Sequence, residues 1–355
     1  MMQSRFAKLA LALGLGAAGG FLAFWAKLPL AWMIGSMVVV TVAAIWGAPV
    51  AVPPSLRNCF VAVLGVMLGS SFKPEMVDHL DEWAVSLAGL AVYTSLSACL
   101  GYLFLKRLGG YGRTTAYFGS MPGGLAEMIL VGTSMGGDPR VISLLHAARI
   151  LVVVLVLPFS FQFFFGYDPA RRAMAGTPLA DIAWVDLGIL AAVAIATAAV
   201  GRLLRFPAWQ LIGPMLLSAT VHLAGWTKAS PPAELIAIAQ VVIGTTIGCR
   251  FAGTHLRFIA RVLVWAAMLT LLLVSVSLLC AWIIHMITGL STPHVLLAYA
   301  PGGLAEMSLV ALALAFDPSF VATHHIVRIF LVIVLAPLIF RLWMRGKEPE
   351  AQPPA

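Results

Sequence analysis

Charged residues are scarce in this sequence. Aspartate, glutamate, lysine and arginine make up 10% of the 355 residues, 61% are hydrophobic, and the mean hydropathy is +0.99. A soluble domain carries about 25% charged residues, so the composition excludes a soluble chain and predicts a polytopic membrane protein. The net charge of +8 comes from basic residues that stand singly or in small groups between apolar segments. Membrane proteins carry them there, and we expect no nucleic-acid partner.

The motifs of several enzyme classes are also absent. The sequence contains no nucleophile elbow, P-loop, HExxH motif or dinucleotide-binding glycines. The four cysteines (Cys59, Cys99, Cys249 and Cys280) have neither CxxC nor other ligand spacing. They indicate neither a disulfide framework nor a zinc site. We therefore expect that the chain is not an enzyme and has no cofactor and no metal.

Apolar segments fill most of the chain, and there are six in each half. They lie near residues 9–26, 29–47, 58–72, 83–105, 116–137, 141–166, 187–201, 207–226, 235–249, 262–285, 295–316 and 320–340. Some are long enough to cross the ~30 Å hydrocarbon core as helices, and others are short. The predicted fold class is an all-α polytopic membrane helix bundle of about 10–12 membrane segments. Its predicted parts are a first membrane repeat (1–166), a linker (167–186), a second membrane repeat (187–340) and a polar tail (341–355).

One stretch occurs twice. Residues 122–158 align without a gap to residues 301–337, with 16 of 37 positions identical, and we call these segments the first and second copies. The identities include five pairs of polar, charged or helix-breaking residues: Glu127/Glu306, Asp138/Asp317, Pro139/Pro318, His146/His325 and Arg149/Arg328. Ionisable groups at membrane depth cost roughly 2.5–3.5 kcal/mol on insertion scales, so they are functional candidates by default.

Shorter matches extend the duplication towards the start of each half. Pro29, Gly35 and Met37 match Pro207, Gly213 and Met215. The N-terminal segment therefore belongs to the repeat, and we do not expect it to be a cleaved leader. Gly65 and Gly69 match Gly244 and Gly248. Small residues at i and i+4 favour close helix packing, although in short paired segments they can also mark a broken helix.

The distribution of basic residues bears on whether the two repeats are parallel or inverted. If each copy makes one net crossing and the N-terminus is inside, 14 basic residues lie inside and 5 outside. If all twelve segments cross, the counts become 12 and 7. The positive-inside rule favours the first arrangement. It predicts inverted repeats with a broken or re-entrant element at each PGGLAEM.

Each Pro-Gly-Gly should interrupt a helix and start a new one, because proline lacks an N–H and glycine is a poor helix former. Unpaired N–H groups at the new helix end form a positive pole. Glu127 and Glu306 then fall in the first helical turn. Each is either a helix-capping glutamate or a carboxylate that exchanges protons or binds a cation.

The remaining polar residues of the copies have two readings. Asp138 and Asp317, each before a proline, are predicted to be structural N-caps. His146 and Arg149 share a helical face, as do His325 and Arg328. Each arginine either pairs with a glutamate and staples the fold or helps to bind an anionic substrate. The candidate substrate or ion site comprises Pro122, Gly123, Gly124, Glu127, His146, Arg149, Pro301, Gly302, Gly303, Glu306, His325 and Arg328.

The doubled PGGLAEM…DP…H..R stretch resembles the AbrB-type membrane protein family, over about residues 10–340. Members of that family are labelled ammonia monooxygenases or AbrB-type regulators. The duplicated architecture looks more like that of a secondary permease. An oxygenase metal would need convergent ligands, and the copies share one matched histidine each, His146 and His325, three residues before an arginine.

We therefore expect a secondary transporter for an unidentified small solute, with an organic anion as the favoured class. The alternative is a membrane-embedded regulator or sensor without transport, and a membrane oxygenase is least favoured. The expected location is the bacterial inner membrane, with a small-molecule substrate and the lipid bilayer as partners. A homo-oligomer is left open. The two Pro-Gly-Gly breaks are expected to meet near the midplane, as inverted repeats place them.

Overall fold

The apolar segments are helical in the computed structural model, which describes residues 2–74, 80–166, 176–204, 208–253 and 256–344. These residues contain no named strand and fourteen α-helices. They are α1 (Met2–Trp25), α2 (Ala31–Ile45), α3 (Pro54–Gly69), α4 (Leu80–Arg107), α5 (Arg113–Ser120), α6 (Leu125–Ser134), α7 (Pro139–Phe165), α8 (Trp184–Leu204), α9 (Trp209–Leu223), α10 (Ala233–Gly248), α11 (Leu256–Thr288), α12 (Thr292–Tyr299), α13 (Leu304–Ala313) and α14 (Pro318–Met344). The predicted all-α class is confirmed.

Six helical stretches in the described chain are long and apolar enough to cross a membrane. They are Arg5–Trp25, Glu82–Arg107, Pro139–Phe165, Ala233–Phe251, Leu256–Thr288 and Pro318–Trp343. Shorter apolar helices accompany them, among them α2, α3, α6 and α13. The chain is thus a helical membrane protein, because an α-helix needs about 20 apolar residues to span the hydrocarbon core.

Two of the twelve apolar segments are broken, and the breaks are the predicted ones. The segment near 116–137 divides into α5 and α6, and the segment near 295–316 divides into α12 and α13. In the first, the backbone becomes extended at Gly124 before α6 begins. Proline and two glycines cannot continue the helix, so each PGGLAEM ends one helix and starts another.

The predicted domain division stays a prediction, and part of it lies outside the described residues. Residues 167–175 of the linker and 345–355 of the tail fall there. The rest of the linker forms a 3₁₀ turn at Leu179–Asp181 and leads into α8. At the other boundary, α14 continues to Met344.

The chain forms two compact units, each built from both halves of the sequence. Unit 1 comprises residues 1–80, 154–256 and 305–322. Unit 2 comprises residues 81–153, 257–304 and 323–355.

In unit 1, the repeated glycines form close helix contacts. A Cβ atom added at Gly65 of α3 would lie 2.5 Å from the Leu211 carbonyl oxygen of α9. A Cβ atom added at Gly244 of α10 would lie 2.4 Å from the Met33 carbonyl oxygen of α2. The packing role predicted for these glycines is confirmed. The third segment of each half packs on the second segment of the other half.

Matching positions of the two halves also share unusual backbone angles. Leu30 and Ala208, immediately before α2 and α9, have φ of 46° and 49°. Gly136 and Ala315, just after α6 and α13, have φ of 87° and 54°. A left-handed conformation at a residue with a Cβ atom costs roughly 1–2 kcal/mol. Its recurrence at equivalent positions shows that the sequence repetition extends to the local backbone.

Candidate functional site

Each break leaves backbone carbonyl groups without helical partners. The last four C=O groups of an α-helix accept no hydrogen bond from within the helix. The residues at the ends of α5 and α12 are buried. A buried carbonyl without a donor is costly. The side chains that meet these carbonyls come from α7 in the first copy and α14 in the second.

In the first copy, His146 and Arg149 cap the broken end. Nη1 of Arg149 donates to the Met121 carbonyl at 2.7 Å, and Nη2 lies 3.4 Å from the Gly123 carbonyl. Nε2 of His146 lies 2.9 Å from the Phe118 carbonyl. Both side chains are buried, with 0% and 2% of their surfaces exposed for histidine and arginine.

In the second copy, His325 and Arg328 make the same contacts at matching positions. Nη1 of Arg328 donates to the Ala300 carbonyl at 2.6 Å, and Nη2 donates to the Gly302 carbonyl at 2.8 Å. Nε2 of His325 lies 3.2 Å from the Leu297 carbonyl. The repeated residues therefore form the same hydrogen bonds in both copies. We call each set, a His–Arg pair bound to the carbonyl groups at a break, a carbonyl clasp.

The clasp also defines the protonation state and tautomer of each histidine. Nδ1 of His146 is 3.1 Å from Arg149 Nη2, and Nδ1 of His325 is 2.9 Å from Arg328 Nη2. Arginine only donates and a carbonyl only accepts. Each ring must therefore accept at Nδ1 and donate from Nε2, which makes it a neutral imidazole that orients the arginine.

Neither arginine uses a carboxylate for these bonds. All acceptors of Arg149 and Arg328 in the described chain are carbonyl oxygens or a histidine nitrogen. The alternative in which each arginine stabilises the fold by pairing with a glutamate is therefore wrong for these hydrogen bonds. The Nε atom of each arginine is buried without a hydrogen-bond partner among the described residues.

The two glutamates differ in environment although both occupy the third position of a helix. Glu127 of α6 is half-buried, and its Oε2 lies over Gly124. A glutamate at this position commonly reaches back over the helix start. Glu306 of α13 is buried, at 6% exposure, in unit 1. Burial leaves Glu306 as the stronger candidate for a carboxylate with more than a capping role.

The two aspartates lie at helix starts. Oδ1 of Asp138 accepts from the Arg140 N–H at 2.8 Å, at the start of α7. Oδ1 of Asp317 accepts from the Ser319 N–H at 2.9 Å, at the start of α14. Both contacts have the geometry of N-caps.

Sequence reasoning missed one face of α4. Five residues at helical spacing, which we call the α4 face, lie along it: Ser86, Gly89, Tyr93, Ser97 and Gly101. Gly89 lies against the Tyr299 hydroxyl and Gly101 against Ser120. Ser86 accepts from the Tyr299 hydroxyl through its carbonyl and contacts His324 Nε2 through its own hydroxyl. The available signal was a stripe of small and polar residues in an otherwise apolar helix.

The α4 face brings parts of the two copies together within unit 2. Tyr93 stacks on Tyr299, with ring centroids 5.4 Å apart. Arg149 and Arg328 are both within electrostatic range of Tyr93. In the same unit, Gly123 of the first break lies against Val332 of α14. Glu127 and Glu306 belong to different units.

The fold and this site define a class of protein: a helical membrane protein with two broken helices, each capped by a buried His–Arg pair. The sequence model of a family described as "Transition state regulatory protein AbrB" matches residues 32–344. The chain belongs to the AbrB family.

Two relatives are similar along nearly their full length. "Uncharacterized protein YhjN" of Bacillus subtilis (strain 168) is 29% identical over 353 residues, covering 93% of this chain and 91% of the relative. "Putative regulator AbrB" of Escherichia coli (strain K12) is 27% identical over 328 residues, covering 91% and 92%.

Proposed function

We propose that this chain is a secondary transporter that moves a small solute across the bacterial inner membrane. The observation that carries the proposal is the carbonyl clasp, built twice at two broken helices. Non-helical backbone at membrane depth is tolerated where protein or water shields it. In transporters, paired interrupted helices lie at the substrate site.

Buried charge supports the same proposal. A guanidinium group in a membrane segment is costly and typically faces a bundle interior or a transport path. Arg149 and Arg328 are both 2% exposed, and four carbonyl groups at the breaks would be satisfied more cheaply by an unbroken helix. Two interrupted helices and two buried guanidinium groups are energetically costly, and this cost favours a function for the interrupted segments.

Transport can be tested in proteoliposomes by solid-supported membrane recording. The vesicles are presented in turn with acetate, succinate, phosphate, alanine and ammonium. Saturable currents that depend on the protein would support the proposal, and a substitution at Arg328 should diminish them. Sealed vesicles with folded protein and no current or labelled uptake for any of these solutes would count against it.

A membrane-embedded regulator is the second candidate, and a relative's name favours it. The Escherichia coli relative is called a regulator. A regulator without transport must act through a partner, so a protein that co-purifies in stoichiometric amount after mild solubilisation would favour this function. Transport activity in the absence of such a partner would favour the first.

An oxygenase is the least favoured function. No group of three or more histidine, cysteine, aspartate or glutamate side chains could hold a metal among the residues that the structure describes. Metal analysis of the protein purified without chelators tests this class directly. A stoichiometric copper or iron content would restore it.

A further inference from the structure

Five buried polar atoms around the α4 face of unit 2 have no hydrogen-bond partner among the residues that the structure describes. They are the Tyr93 hydroxyl, the Thr94 hydroxyl, the Ser97 hydroxyl and the Nε atoms of Arg149 and Arg328. All five residues are at most 8% exposed. Buried polar groups are normally satisfied, so this group calls for an explanation that the clasp does not give.

The residues of this group share one neighbourhood of unit 2. Tyr93 is within electrostatic range of both arginines. Ser97 follows Tyr93 by one helical turn on α4, so both project from the same side of the helix. Tyr93 also stacks on Tyr299, whose carbonyl accepts from Arg328 at 3.2 Å.

The charge balance indicates the sign of the missing partner. Two guanidinium groups are buried in unit 2, each 2% exposed, and their hydrogen-bond acceptors in the described structure are all neutral. Carbonyl dipoles compensate part of the positive charge. Burying like charges together is unfavourable unless a countercharge is present, so the group needs an anion.

The donor geometry indicates the class of anion. Guanidinium has five N–H donors, and the clasp uses the terminal nitrogens on the side of the carbonyls and the histidine. The Nε–H group remains on each arginine. These N–H donors, together with the hydroxyl groups of Tyr93 and Ser97, are groups that a carboxylate accepts from strongly, because charged acceptors form the stronger hydrogen bonds.

We propose that Arg149, Arg328, Tyr93 and Ser97 form a binding site for the carboxylate group of a small organic anion. The site rests on the proposed transport function only for its physiological use; binding itself requires no transport. The clasp holds both arginines in place, the histidines fix their orientation, and α4 supplies the neutral donors. Interaction with the anion accounts for the hydroxyl groups of Tyr93 and Ser97 on an otherwise apolar helix.

Binding is tested on the full chain purified in detergent, without flux. Thermal unfolding is followed with acetate, succinate or inorganic phosphate, with acetamide as a neutral analogue of acetate and sodium chloride at matched ionic strength. A ligand that binds only the folded state raises the melting temperature. We expect acetate or succinate to raise it and acetamide and chloride to leave it unchanged.

Two tyrosine variants then locate the site. Tyr93→Phe keeps the ring that stacks on Tyr299, and it should weaken the carboxylate Kd about tenfold, as loss of a hydrogen bond to a charged group does. Tyr111→Phe is the matched control. The Tyr111 hydroxyl is also buried without a partner in the described structure, and it lies near Arg261 instead. Its removal should leave the Kd unchanged.

Three results would overturn the assignment. The first is stabilisation by the carboxylates no greater than that by acetamide or chloride. The second is an equal loss of affinity in Tyr111→Phe and Tyr93→Phe. The third is stabilisation by phosphate alone, which would show an anion site of another class. Carboxylate binding in a protein that moves no solute would contradict the proposed transport function and support the binding site. Saturable ammonium transport without carboxylate binding would support the transport function and contradict the binding site.

Discussion

The ring of Tyr93 stacks on the ring of Tyr299 with an interplanar angle of 25° and a centroid distance of 5.4 Å. Tyr299 is the last residue of α12, directly before the second break, whereas Tyr93 lies in the middle of α4. Stacked aromatic pairs contribute about 0.5–1.5 kcal/mol beyond their buried area. The contact attaches an interrupted helix to a continuous one, so the position of the break depends on a helix that lies outside both copies.

Close glycine packing can be tested by adding one methyl group. Gly65→Ala and Gly244→Ala should each lower the free energy of unfolding by about 1–3 kcal/mol, because the new Cβ meets backbone oxygen. Gly14→Ala in α1 is the control, since no atom lies within 4 Å of its added Cβ. It should stabilise the helix by about 0.5–1 kcal/mol. Melting temperatures in detergent report both effects, and equal shifts in all three variants would contradict this packing.

The helix caps provide a second test. Asp138→Ala and Asp317→Ala should each cost about 0.5–2 kcal/mol, because the first N–H groups of α7 and α14 lose their acceptor. Asp138→Ser retains a capping oxygen and should recover most of the stability. If alanine and serine behave alike at position 138, the cap contributes nothing and the aspartate has another role.

The carbonyl clasp predicts matched effects in the two copies. Arg149→Lys and Arg328→Lys should each lower the free energy of unfolding by about 1–3 kcal/mol, because a single ammonium group leaves a buried carbonyl without a donor. Lysine keeps the positive charge of each site, so the double variant should cost about the sum of the two single variants. Chemical unfolding of all three variants measures this sum. A double variant that costs clearly less than the sum would show that the two clasps depend on each other.

The glutamates test coupling to protons under the proposed function. Glu127→Gln together with Glu306→Gln should abolish pH-driven uptake in proteoliposomes, because glutamine keeps the shape of the side chain and cannot exchange a proton. Glu234→Gln is the control, since Glu234 is also in a first helical turn but exposed at the start of α10. Unchanged pH dependence in the double variant would leave both glutamates as helix caps.

The fold was predictable from the sequence because its signals are local. Hydrophobic runs give the helices, and Pro122-Gly-Gly and Pro301-Gly-Gly interrupt two of them because proline and glycine act on their own backbone. The spacing of His146 and Arg149 placed both on one face of α7, where they are found. Repetition then identified the same residues a second time in the chain.

The partners of the arginines were less accessible. The cost of a buried unpaired charge predicts a carboxylate or a carbonyl as the partner of each arginine, and the observed acceptors of Arg149 are the carbonyls of Met121 and Gly123. Every residue has a backbone carbonyl, so the sequence does not show which carbonyl groups need a donor. That becomes known only when the helix ends are known. Tyr93 was missed for a similar reason. It lies outside both copies, and only packing brings it to the second break.

The clasp has a consequence for ion selectivity. Unwound segments in transporters often present free carbonyl oxygens to Na⁺, and a cation needs several such oxygens at once. Here the Met121, Gly123, Ala300 and Gly302 oxygens already accept from guanidinium groups. An alkali cation approaching either break would meet occupied ligands and a fixed positive charge. Both breaks are therefore unfavourable coordination sites for an alkali cation.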